Sequence, residues 1–498
     1  MRLSSVIAGT GAAGDLGADP DVQQVTCDSR AVRPGALFCA VRGVQSDGHD
    51  FAAAAARAGA AAVLAERVVD CEPARLLLAP DSRYAMAIAA ANFHGRPAES
   101  LTLVGVTGTN GKTTVAYLVE ACARAAAIPV GILGTVTWRW PGFEREASHT
   151  TPESTELQAM LAAMRDSGTR VACLEVSSHA LAQHRVAGLR FRAAGFTNLT
   201  RDHLDYHGDE EHYLAEKRKL FTEHLRADGV AVVNEEDAAG ARLARELRDR
   251  GATVWGTGRS ARREVSATAA TIGLAGISAH VTTPAGAFEL RSPLVGAHNL
   301  ENLLTATGLA LAAGIPLDAV ARGLASSPGA PGRLERVEQG GVAVFVDYAH
   351  TPDALERALT ALRALSPRRL IAVFGCGGDR DRGKRPLMGA AAARLADLVV
   401  VTSDNPRTED AAAIIADILP GVDGAGLGRL DGAGARAGAA GYVVVPERRE
   451  AIDLAVAAAR PGDAILLAGK GHETYQIVGK EKRHFDDREE ARRALGIP

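Results

Sequence analysis

A glycine-rich turn at residues 108–111 carries the clearest chemistry in the sequence. It follows the apolar, β-branched residues 101–106 and precedes Lys112, Thr113 and Thr114, which begin a segment of helical composition. A strand, a glycine turn and a helix N-terminus together form an anion site, because free N–H groups and the helix dipole point at one place. The Lys112 ammonium would add charge for the β and γ phosphates, and the Thr113 hydroxyl could ligate Mg²⁺.

This turn is a shortened relative of the strict phosphate-binding loop. Val106 stands where the strict pattern has its first glycine, so Gly108 must turn the chain. The alternative is an ordinary glycine-rich turn between a strand and a helix, and a phosphate site alone leaves the reaction open. The residues expected to bind the phosphates are Gly108, Thr109, Asn110, Gly111, Lys112, Thr113 and Thr114.

Ionisable residues follow two further predicted strands. Residues 170–176 form an apolar run that contains Glu175, and an acid in such a run is costly unless it meets a cation. Glu175 is therefore either a Mg²⁺ ligand or a capped, hydrogen-bonded glutamate. A second apolar strand ends near Asn198, and the polar cluster after it suits metal and nucleotide binding or forms a solvated loop. That cluster contains Asp202, His203, Asp205 and His207.

Strand and helix patterns alternate along most of the chain, which predicts an α/β fold with parallel sheets. The length of 498 residues suggests about three domains. We expect a small α/β module over residues 1–98, a central P-loop-type mononucleotide-binding parallel sheet over 99–331, and a C-terminal Rossmann-like, doubly wound domain over 332–498. Residues 130–138 are predicted to form one strand. Residues 421–441 are rich in Gly and Ala without periodicity and predict a mobile inserted loop.

Composition excludes several classes of protein. A net charge of −3 argues against nucleic acid as the main partner, because no basic excess exists to replace counterions. The six cysteines include no C-x-x-C pair, which indicates reduced thiols in a cytoplasmic chain rather than disulfides or a zinc site. The first residues are too weakly apolar for a signal peptide, and we expect no membrane segment.

Four motifs together resemble the Mur ligase family, the ATP-dependent amide-bond enzymes of peptidoglycan synthesis. They are TGTNGKTT, LEVSSHALAQHR, NLTRDHLDYHG and AEKRKLF, in that order. The resemblance implies an N-terminal UDP-sugar-binding domain, a central ATP-binding domain and a C-terminal domain that brings the amino acid.

The resemblance also implies the metal chemistry of the central domain. Glu175 and His203 would hold Mg²⁺ beside Thr113, and Lys217 would be carbamylated by CO₂. An ammonium cannot ligate a cation, whereas a carbamate offers the anionic oxygen that Mg²⁺ prefers. Without the resemblance, Lys217 would be an ordinary lysine on a surface helix. Lys112, Glu175, His203 and Lys217 are thus the expected catalytic residues.

Further binding residues follow from the family by position. The nucleotide site would add Asn299, Asn302, Arg333, Asp347 and His350. As isolated polar residues, the asparagines could equally be helix caps, and the polar loops 26–30 and 43–48 ordinary turns. His149 departs from the asparagine that relatives often carry. The residues expected to contact the UDP-sugar peptide are Cys27, Ser29, Val44, Gln45, Ser46, His149, Thr150, Thr151, Ser177, Gln183 and Arg185.

Residues 404–407, DNPR, resemble the signature of the family branch that adds meso-diaminopimelate. The Arg407 guanidinium could hold the distal carboxylate of diaminopimelate, which lysine lacks. The cationic stretch 379–385 also favours carboxylate binding. The expected diaminopimelate-binding residues are Arg380, Asp404, Asn405, Pro406, Arg407, Gly469 and Glu473.

The expected activity is that of an acid–amino-acid ligase. It would use ATP and Mg²⁺ to join meso-diaminopimelate to the D-Glu γ-carboxylate of UDP-MurNAc-L-Ala-D-Glu through an acyl phosphate, as a cytoplasmic monomer. The alternatives are a lysine-adding relative or another ligase of the superfamily, such as a folylpolyglutamate synthetase. A nucleotide-sensing binding module is the alternative from a different class, and it would lack an amino-acid pocket.

Overall fold

The structure, a computed structural model, describes residues 1–43, 46–200, 204–207 and 209–497. The chain divides into two compact units. The first contains Met1–Ala267, Thr282–Ala287 and Glu301–Gly323, and the second contains Thr268–Val281, Phe288–Leu300 and the chain from Leu324 onward. Among the described residues, no helix has both the length and the apolar character that a membrane crossing needs.

The N-terminal part of the first unit is a small parallel sheet, as the sequence predicts. Its four strands lie in the order β1-β2-β3-β4 and all pair in parallel. Separate apolar clusters pack on the two faces of this sheet. One is rich in leucine and alanine, and the other consists mainly of alanine. Its elements are α1 (Leu3–Val6), β1 (Gln24–Thr26), β2 (Ala36–Cys39), α2 (Ala52–Arg57), β3 (Ala62–Ala65), β4 (Arg75–Leu78) and α3 (Ser82–Phe93).

The central part of the chain contains the strand, turn and helix predicted around residue 108. Its elements are β5 (Thr102–Thr107), α4 (Lys112–Ala125), β6 (Val130–Leu133), β7 (Thr137–Trp140), β8 (Phe143–Glu146), α5 (Ser154–Asp166), β9 (Val171–Glu175), α6 (Ser178–Ala182), β10 (Phe191–Phe196), α7 (Leu204–His207), α8 (Glu210–Thr222), β11 (Leu225–Asn234), α9 (Ala238–Asp249), β12 (Thr253–Gly258), β13 (Val265–Gly273), β14 (Gly276–Thr283), β15 (Gly286–Ser292), α10 (Ala297–Ala312) and α11 (Leu317–Ser326).

Strand β5 lies inside the central sheet, between β10 and β9, and pairs in parallel with both. The sheet order continues outward as β12-β11-β10 on one side and β9-β6-β7-β8 on the other. Because parallel strands align their carboxyl ends, the turns after β5, β9 and β10 meet at one edge. The single strand predicted over residues 130–138 is wrong: β6 and β7 are separate and antiparallel, and a turn at Gly134–Val136 separates them.

The second unit contains another sheet, in the order β16-β17-β21-β18-β19-β20, in which only β16 is antiparallel. The central sheet and this one confirm the predicted α/β class, whereas the boundaries of the three domains stay a prediction. The elements are β16 (Glu335–Gln339), β17 (Val342–Asp347), α12 (Pro352–Arg363), β18 (Leu370–Phe374), α13 (Lys384–Leu395), β19 (Leu398–Val401), α14 (Ala411–Gly424), α15 (Gly432–Ala437), β20 (Gly441–Val444), α16 (Arg448–Ala458), β21 (Ala464–Ala468), β22 (Tyr475–Val478), β23 (Glu481–His484) and α17 (Asp487–Leu495).

The predicted loop over residues 421–441 is wrong in part, because helix α14 runs on to Gly424 and a second helix, α15, follows. Sequence periodicity failed here because small residues replace the usual apolar stripe. Gly421 faces α13 so closely that a Cβ there would lie 1.7 Å from the Pro386 carbonyl oxygen. A glycine is therefore needed at this crossing for packing rather than for flexibility.

We expect Gly421→Ala to lower the free energy of unfolding by about 1–3 kcal/mol, because the added methyl forces α13 and α14 apart. The matched control is Gly424→Ala on the same helix, where a Cβ would meet no atom within 4 Å. Urea denaturation of both variants checks this prediction. Equal stability of the two variants would contradict the close helix contact.

Candidate functional site

The turn after β5 adopts the geometry of an anion-binding loop. Gly108 has φ +142°, and a Cβ there would lie 1.9 Å from the Thr197 hydroxyl. Gly111 has φ +86°, and a Cβ there would lie 2.3 Å from Oδ1 of Asn302. Both glycines are thus required by close approach as well as by backbone conformation. The Lys112 ammonium folds over the loop and donates to the carbonyl oxygens of Gly108 (2.9 Å) and Thr109 (2.8 Å).

Residues after β10 hold this loop in place. The Asn198 side chain accepts from the Asn110 N–H at 3.0 Å, and the Thr197 hydroxyl donates to the Asn110 carbonyl at 2.6 Å. The Thr200 N–H donates to the Thr109 hydroxyl at 3.0 Å. No role was predicted for Thr197, Asn198 or Thr200, although Asn198 and Thr200 belong to the quoted motif NLTRDHLDYHG. Their position one strand away from the loop was the missing information.

Glu175 is fully buried at the carboxyl end of β9, and three donors orient its carboxylate. Oε2 accepts from the hydroxyls of Thr113 and Thr135, both at 3.0 Å, and Oε1 accepts from the Thr135 N–H at 2.9 Å. A Cβ on Gly134 would lie 2.2 Å from Oε1, so the turn between β6 and β7 presses against the acid. Gly134 and Thr135 were missed because nothing in their local sequence marks them.

Lys217 is 1% exposed, so the alternative of a surface lysine on α8 is wrong. Its ammonium donates to the Gly108 carbonyl at 2.8 Å and lies 4.1 Å from the centre of the Tyr213 ring. His203, the expected metal ligand, lies outside the described residues. His207, from the same polar cluster, shares a 2.9 Å hydrogen bond between Nε2 and the Ser178 hydroxyl.

The oxygen ligands at this site suit a hard divalent cation. The Glu175 carboxylate and the Thr113 hydroxyl are oxygens 3.0 Å apart, and Mg²⁺ prefers oxygen ligands. No three His, Cys, Asp or Glu residues group as metal ligands within the described ranges. A carbamate on Lys217 would add an anionic oxygen where the buried ammonium offers none.

Hydroxyls extend from Glu175 toward the loop after β8. The Thr135 and Thr150 hydroxyls are 3.1 Å apart, and the Thr151 hydroxyl donates to the Glu175 carbonyl at 2.8 Å. The Ser177 N–H donates to the same Thr151 hydroxyl at 3.1 Å. These expected substrate residues therefore form one continuous network with the buried acid. His149 is exposed, and its Nδ1 lies 3.2 Å from the Ser148 hydroxyl.

An ion cluster joins the N-terminal module to the central sheet. Glu153 Oε2 lies 3.2 Å from Arg83 Nη1 and 3.8 Å from Arg185 Nε. The Arg185 guanidinium also donates to the Thr151 carbonyl at 2.8 Å and to Gln183 Oε1. Burial, with the charge of Glu153, raises the pKa of the Cys27 thiol to about 11, so this thiol stays neutral. The sequence pattern predicted no role for Arg83 or Glu153 in this cluster.

The other expected contacts of the N-terminal module are less defined. Ser29 is half-buried and begins a short 3₁₀ helix, Ser29–Ala31, and Ser46 is exposed. Val44 and Gln45 lie outside the described residues.

Two asparagines were expected near adenine. Asn302 lies beside Gly111, as described above. Asn299 lies in the first turn of α10 and donates from Nδ2 to the Val295 carbonyl at 2.8 Å. Asn234, which the sequence did not mark as a site residue, is buried and donates to the Thr197 carbonyl at 2.8 Å and to Glu301 Oε2 at 3.0 Å. Burial raises the pKa of the Glu301 carboxyl.

In the second unit, Asp347 at the end of β17 accepts the Leu334 N–H at 2.8 Å. Burial raises the pKa of its carboxyl, and the charge of Arg333 opposes that shift. The Arg333 guanidinium lies 5.6 Å from the centre of the Tyr348 ring. His350 Nδ1 is 2.8 Å from the Tyr348 carbonyl, and burial lowers the pKa of this histidine.

The DNPR segment folds against residues 469–477. Asn405 Nδ2 donates to Glu473 Oε2 at 2.9 Å, and the Arg407 N–H donates to the Ile477 carbonyl at 3.0 Å. Gly469 has φ +117°, and a Cβ there would lie 3.2 Å from Asp404 Oδ2. Burial, with the neighbouring charge of Asp404, raises the pKa of the Glu473 carboxyl.

Arg407 has the left-handed φ of +52° and is half-buried. Its Nη1 donates to the Gly378 carbonyl at 2.7 Å, so the guanidinium is held against the loop after β18. A Cβ on Gly378 would lie 1.9 Å from the buried Pro406 carbonyl oxygen, which shows how closely the two loops approach. The tertiary structure thus fixes the direction of this arginine.

The expectation for the whole cationic stretch 379–385 is wrong in part. Arg385 is fully buried and bonds the carboxylates of Glu409 (2.8 Å) and Asp417 (2.8 Å), and Arg382 lies 3.0 Å from Glu409. These two guanidiniums pair with carboxylates of the protein itself, and this pairing offsets their charge. Arg380 is exposed and donates to the Asp379 carbonyl at 3.2 Å.

Three family models match successive parts of the chain. Residues 21–101 match the Mur ligase family catalytic domain, residues 106–310 the Mur ligase middle domain, and residues 332–471 the Mur ligase glutamate ligase domain. Together they span most of the sequence and follow the order of the predicted domains.

Individual relatives agree with the family models. The chain is 49% identical to the UDP-N-acetylmuramoyl-L-alanyl-D-glutamate--2,6-diaminopimelate ligase of Geobacter metallireducens, over 99% of this chain and 97% of the relative. It is 48% identical to the ligase of the same name from Thermosynechococcus vestitus, over 95% and 93%. A solved structure of that ligase is 35% identical, with a TM-score of 0.72 and 95% of each chain covered. The chain belongs to the Mur ligase family.

Proposed function

We propose that this chain joins 2,6-diaminopimelate, in its meso form, to the D-Glu γ-carboxylate of UDP-MurNAc-L-Ala-D-Glu, with hydrolysis of ATP to ADP and phosphate. The observation that supports the proposal most strongly is Arg407, a half-buried guanidinium held beside the Asn405–Glu473 pair in a member of this ligase family. An arginine in that position can pair a distal carboxylate that a lysine substrate lacks.

The reaction needs the D-Glu carboxylate to be activated, because an amine does not displace oxide from a carboxylate. Phosphoryl transfer from ATP gives an acyl phosphate and ADP. The free amine of diaminopimelate then attacks the acyl carbon, and phosphate leaves as the amide forms. The Lys112 ammonium would leave its two loop carbonyls and bind phosphate oxygens instead. Its positive charge then offsets the repulsion between phosphate and carboxylate.

Two further roles remain, namely metal binding and orientation of the peptide carboxylate. Mg²⁺, held by Thr113, Glu175 and a carbamate on Lys217, would supply positive charge at the phosphates. Thr150, Thr151, Ser177 and Arg185 orient the peptide carboxylate, because the same network reaches Glu175. His203 as a metal ligand, the monomeric state and the cytoplasmic location stay predictions.

Lys112→Ala should abolish ligation, because the ammonium that meets the phosphates is lost. We expect kcat to fall at least roughly 100-fold. Phosphate release in the presence of both substrates measures kcat. The matched control is Lys480→Ala, which removes the charge of an exposed lysine. A near-normal rate for Lys112→Ala would refute the phosphate clamp.

Arg407→Ala should reduce the preference for diaminopimelate over lysine, since the distal carboxylate loses a charged partner. We expect the ratio of the two kcat/KM values to fall roughly 10–100-fold. The control is Arg483→Ala, an exposed arginine paired with Glu481 on β23. An unchanged ratio for Arg407→Ala would favour a lysine-adding or other ligase. Phosphate release that no amino acid stimulates would favour a nucleotide-sensing module.

The carbamate on Lys217 is testable by isotope labelling. With labelled bicarbonate, we expect one carbon NMR signal of a protein carbamate, lost in Lys217→Arg because a guanidinium stays protonated and does not add CO₂. Lys219→Arg is the control on the same helix, where the lysine already pairs with Glu216 at 2.8 Å. A signal that survives Lys217→Arg, or its absence in the wild type, would rule out the modification.

A further inference from the structure

Lys470 is a fully buried ammonium next to the DNPR segment. Its Nζ donates to Asn405 Oδ1 at 3.0 Å and to the Tyr475 carbonyl at 2.7 Å, and it lies 3.3 Å from Asp404 Oδ1. Two of the three ammonium donors are thus satisfied by hydrogen bonds, and Asp404 supplies the counter-charge. Burial of a cation is costly unless it is paired in this way, so the arrangement has a defined geometry.

Lys470 and the Ile477 N–H together fix which way the Asn405 amide points. Asn405 Oδ1 accepts from both Lys470 Nζ and the Ile477 N–H, each at 3.0 Å. An amide nitrogen cannot accept either of these bonds, so Nδ2 must lie on the other side. There it donates to Glu473 Oε2 at 2.9 Å. Asn405 is 4% exposed and has no room to take another position freely.

Glu473 is therefore held at the end of a chain of bonds that begins at Lys470. Its carboxylate is half-buried, whereas Lys470 and Asn405 are inside the protein. The nearby Arg448–Asp487 ion pair is fully buried, with a 2.6 Å contact, and Arg448 also donates to the carbonyls of Ser403 and Ala468. Lys470 instead contacts Asp404 directly and, through Asn405, orients the Glu473 carboxylate.

We propose that Lys470 is a positioning residue for the amino-acid substrate: through Asn405 it fixes the Glu473 carboxylate that receives the substrate's ammonium. This inference rests on the proposed function, in which residues 404–407 and 469–473 form the amino-acid site. It predicts an effect on amino-acid binding that is separate from ATP binding, because Lys470 and Asn405 contact Asp404, Glu473, Tyr475 and Ile477, whereas the expected phosphate-binding residues 108–114 belong to the first unit.

The experiment measures KM for diaminopimelate, KM for ATP and kcat by phosphate release. We expect Lys470→Met to raise KM for diaminopimelate roughly 10–100-fold, with KM for ATP changed less than about twofold. Lys482→Met is the matched control, since it removes an exposed lysine whose Nζ lies over the Tyr475 ring. An unchanged KM for diaminopimelate, or an equal rise in both KM values, would overturn the inference.

A second variant keeps the test decisive if Lys470→Met does not fold. Asn405→Asp preserves an oxygen for Lys470 and Ile477 but removes the donor to Glu473. We expect the same selective rise in KM for diaminopimelate. Where Lys470→Met folds, a double-mutant cycle of the two changes should be clearly non-additive, because both break one chain of bonds. Additive effects, or an unaffected KM in Asn405→Asp, would refute the relay.

Failure of the inference and failure of the proposed function look different. If wild-type protein releases phosphate with another amino acid only, the substrate proposal is wrong, and the same KM comparison is made with that amino acid. If wild-type protein responds to diaminopimelate but both variants keep its KM, only the role of Lys470 is overturned. If no amino acid stimulates phosphate release, both are overturned.

Discussion

The expected nucleotide site of this protein depends on one constraint: a carboxylate that is buried away from water must be paired. Glu175 is fully buried, and an unpaired charge there would cost more than the fold can offset. Two hydroxyls and one N–H satisfy it, and they come from the helix after β5 and the turn after β6. The acid therefore ties three neighbouring strand ends to one point, which is where the phosphate loop ends and helix α4 begins.

The same rule operates with the opposite charge in the second unit. Lys470 is a buried ammonium, and its partners come from the loop after β19 and from the chain after β21. In each unit a buried ion selects one arrangement of loops at the carboxyl ends of parallel strands. Such groups contribute specificity of geometry more than stability, because their Coulomb gain is largely offset by desolvation. The nearby half-buried groups, Arg407 and Glu473, can then face a substrate.

Close approach of backbone is the second condition for both sites. At Gly108 and Gly378 an added Cβ would lie 1.9 Å from a hydroxyl or a carbonyl oxygen of the neighbouring loop. Loops that lie this close leave no space for water between them, which strengthens each hydrogen bond in the site. The glycines of the phosphate turn are recognisable in the sequence, but the partner of Gly108, Thr197, lies far along the chain.

Local sequence was sufficient for much of the architecture. Apolar runs bounded by glycine and polar residues predicted β5 and β9 to within one residue at each end, because strands buried on both faces have few other sequences available. It was insufficient where small residues replace an apolar stripe, as in α14 and α15. Local sequence also predicted a single strand in place of β6 and β7, because the turn Gly134–Val136 between them has no proline or paired polar residues to mark it.

The sequence by itself determined the phosphate turn, the α/β class and the family, because these depend on residue types at short, fixed spacing. Only the tertiary structure decided which charged groups face a ligand and which serve the protein. Lys217 is buried where its helix pattern allowed exposure, Arg385 is bound by Glu409 and Asp417, and Lys470 orients Asn405. The reason is physical: the environment of a charge depends on atoms that are distant in sequence, and burial or pairing decides what that charge can do.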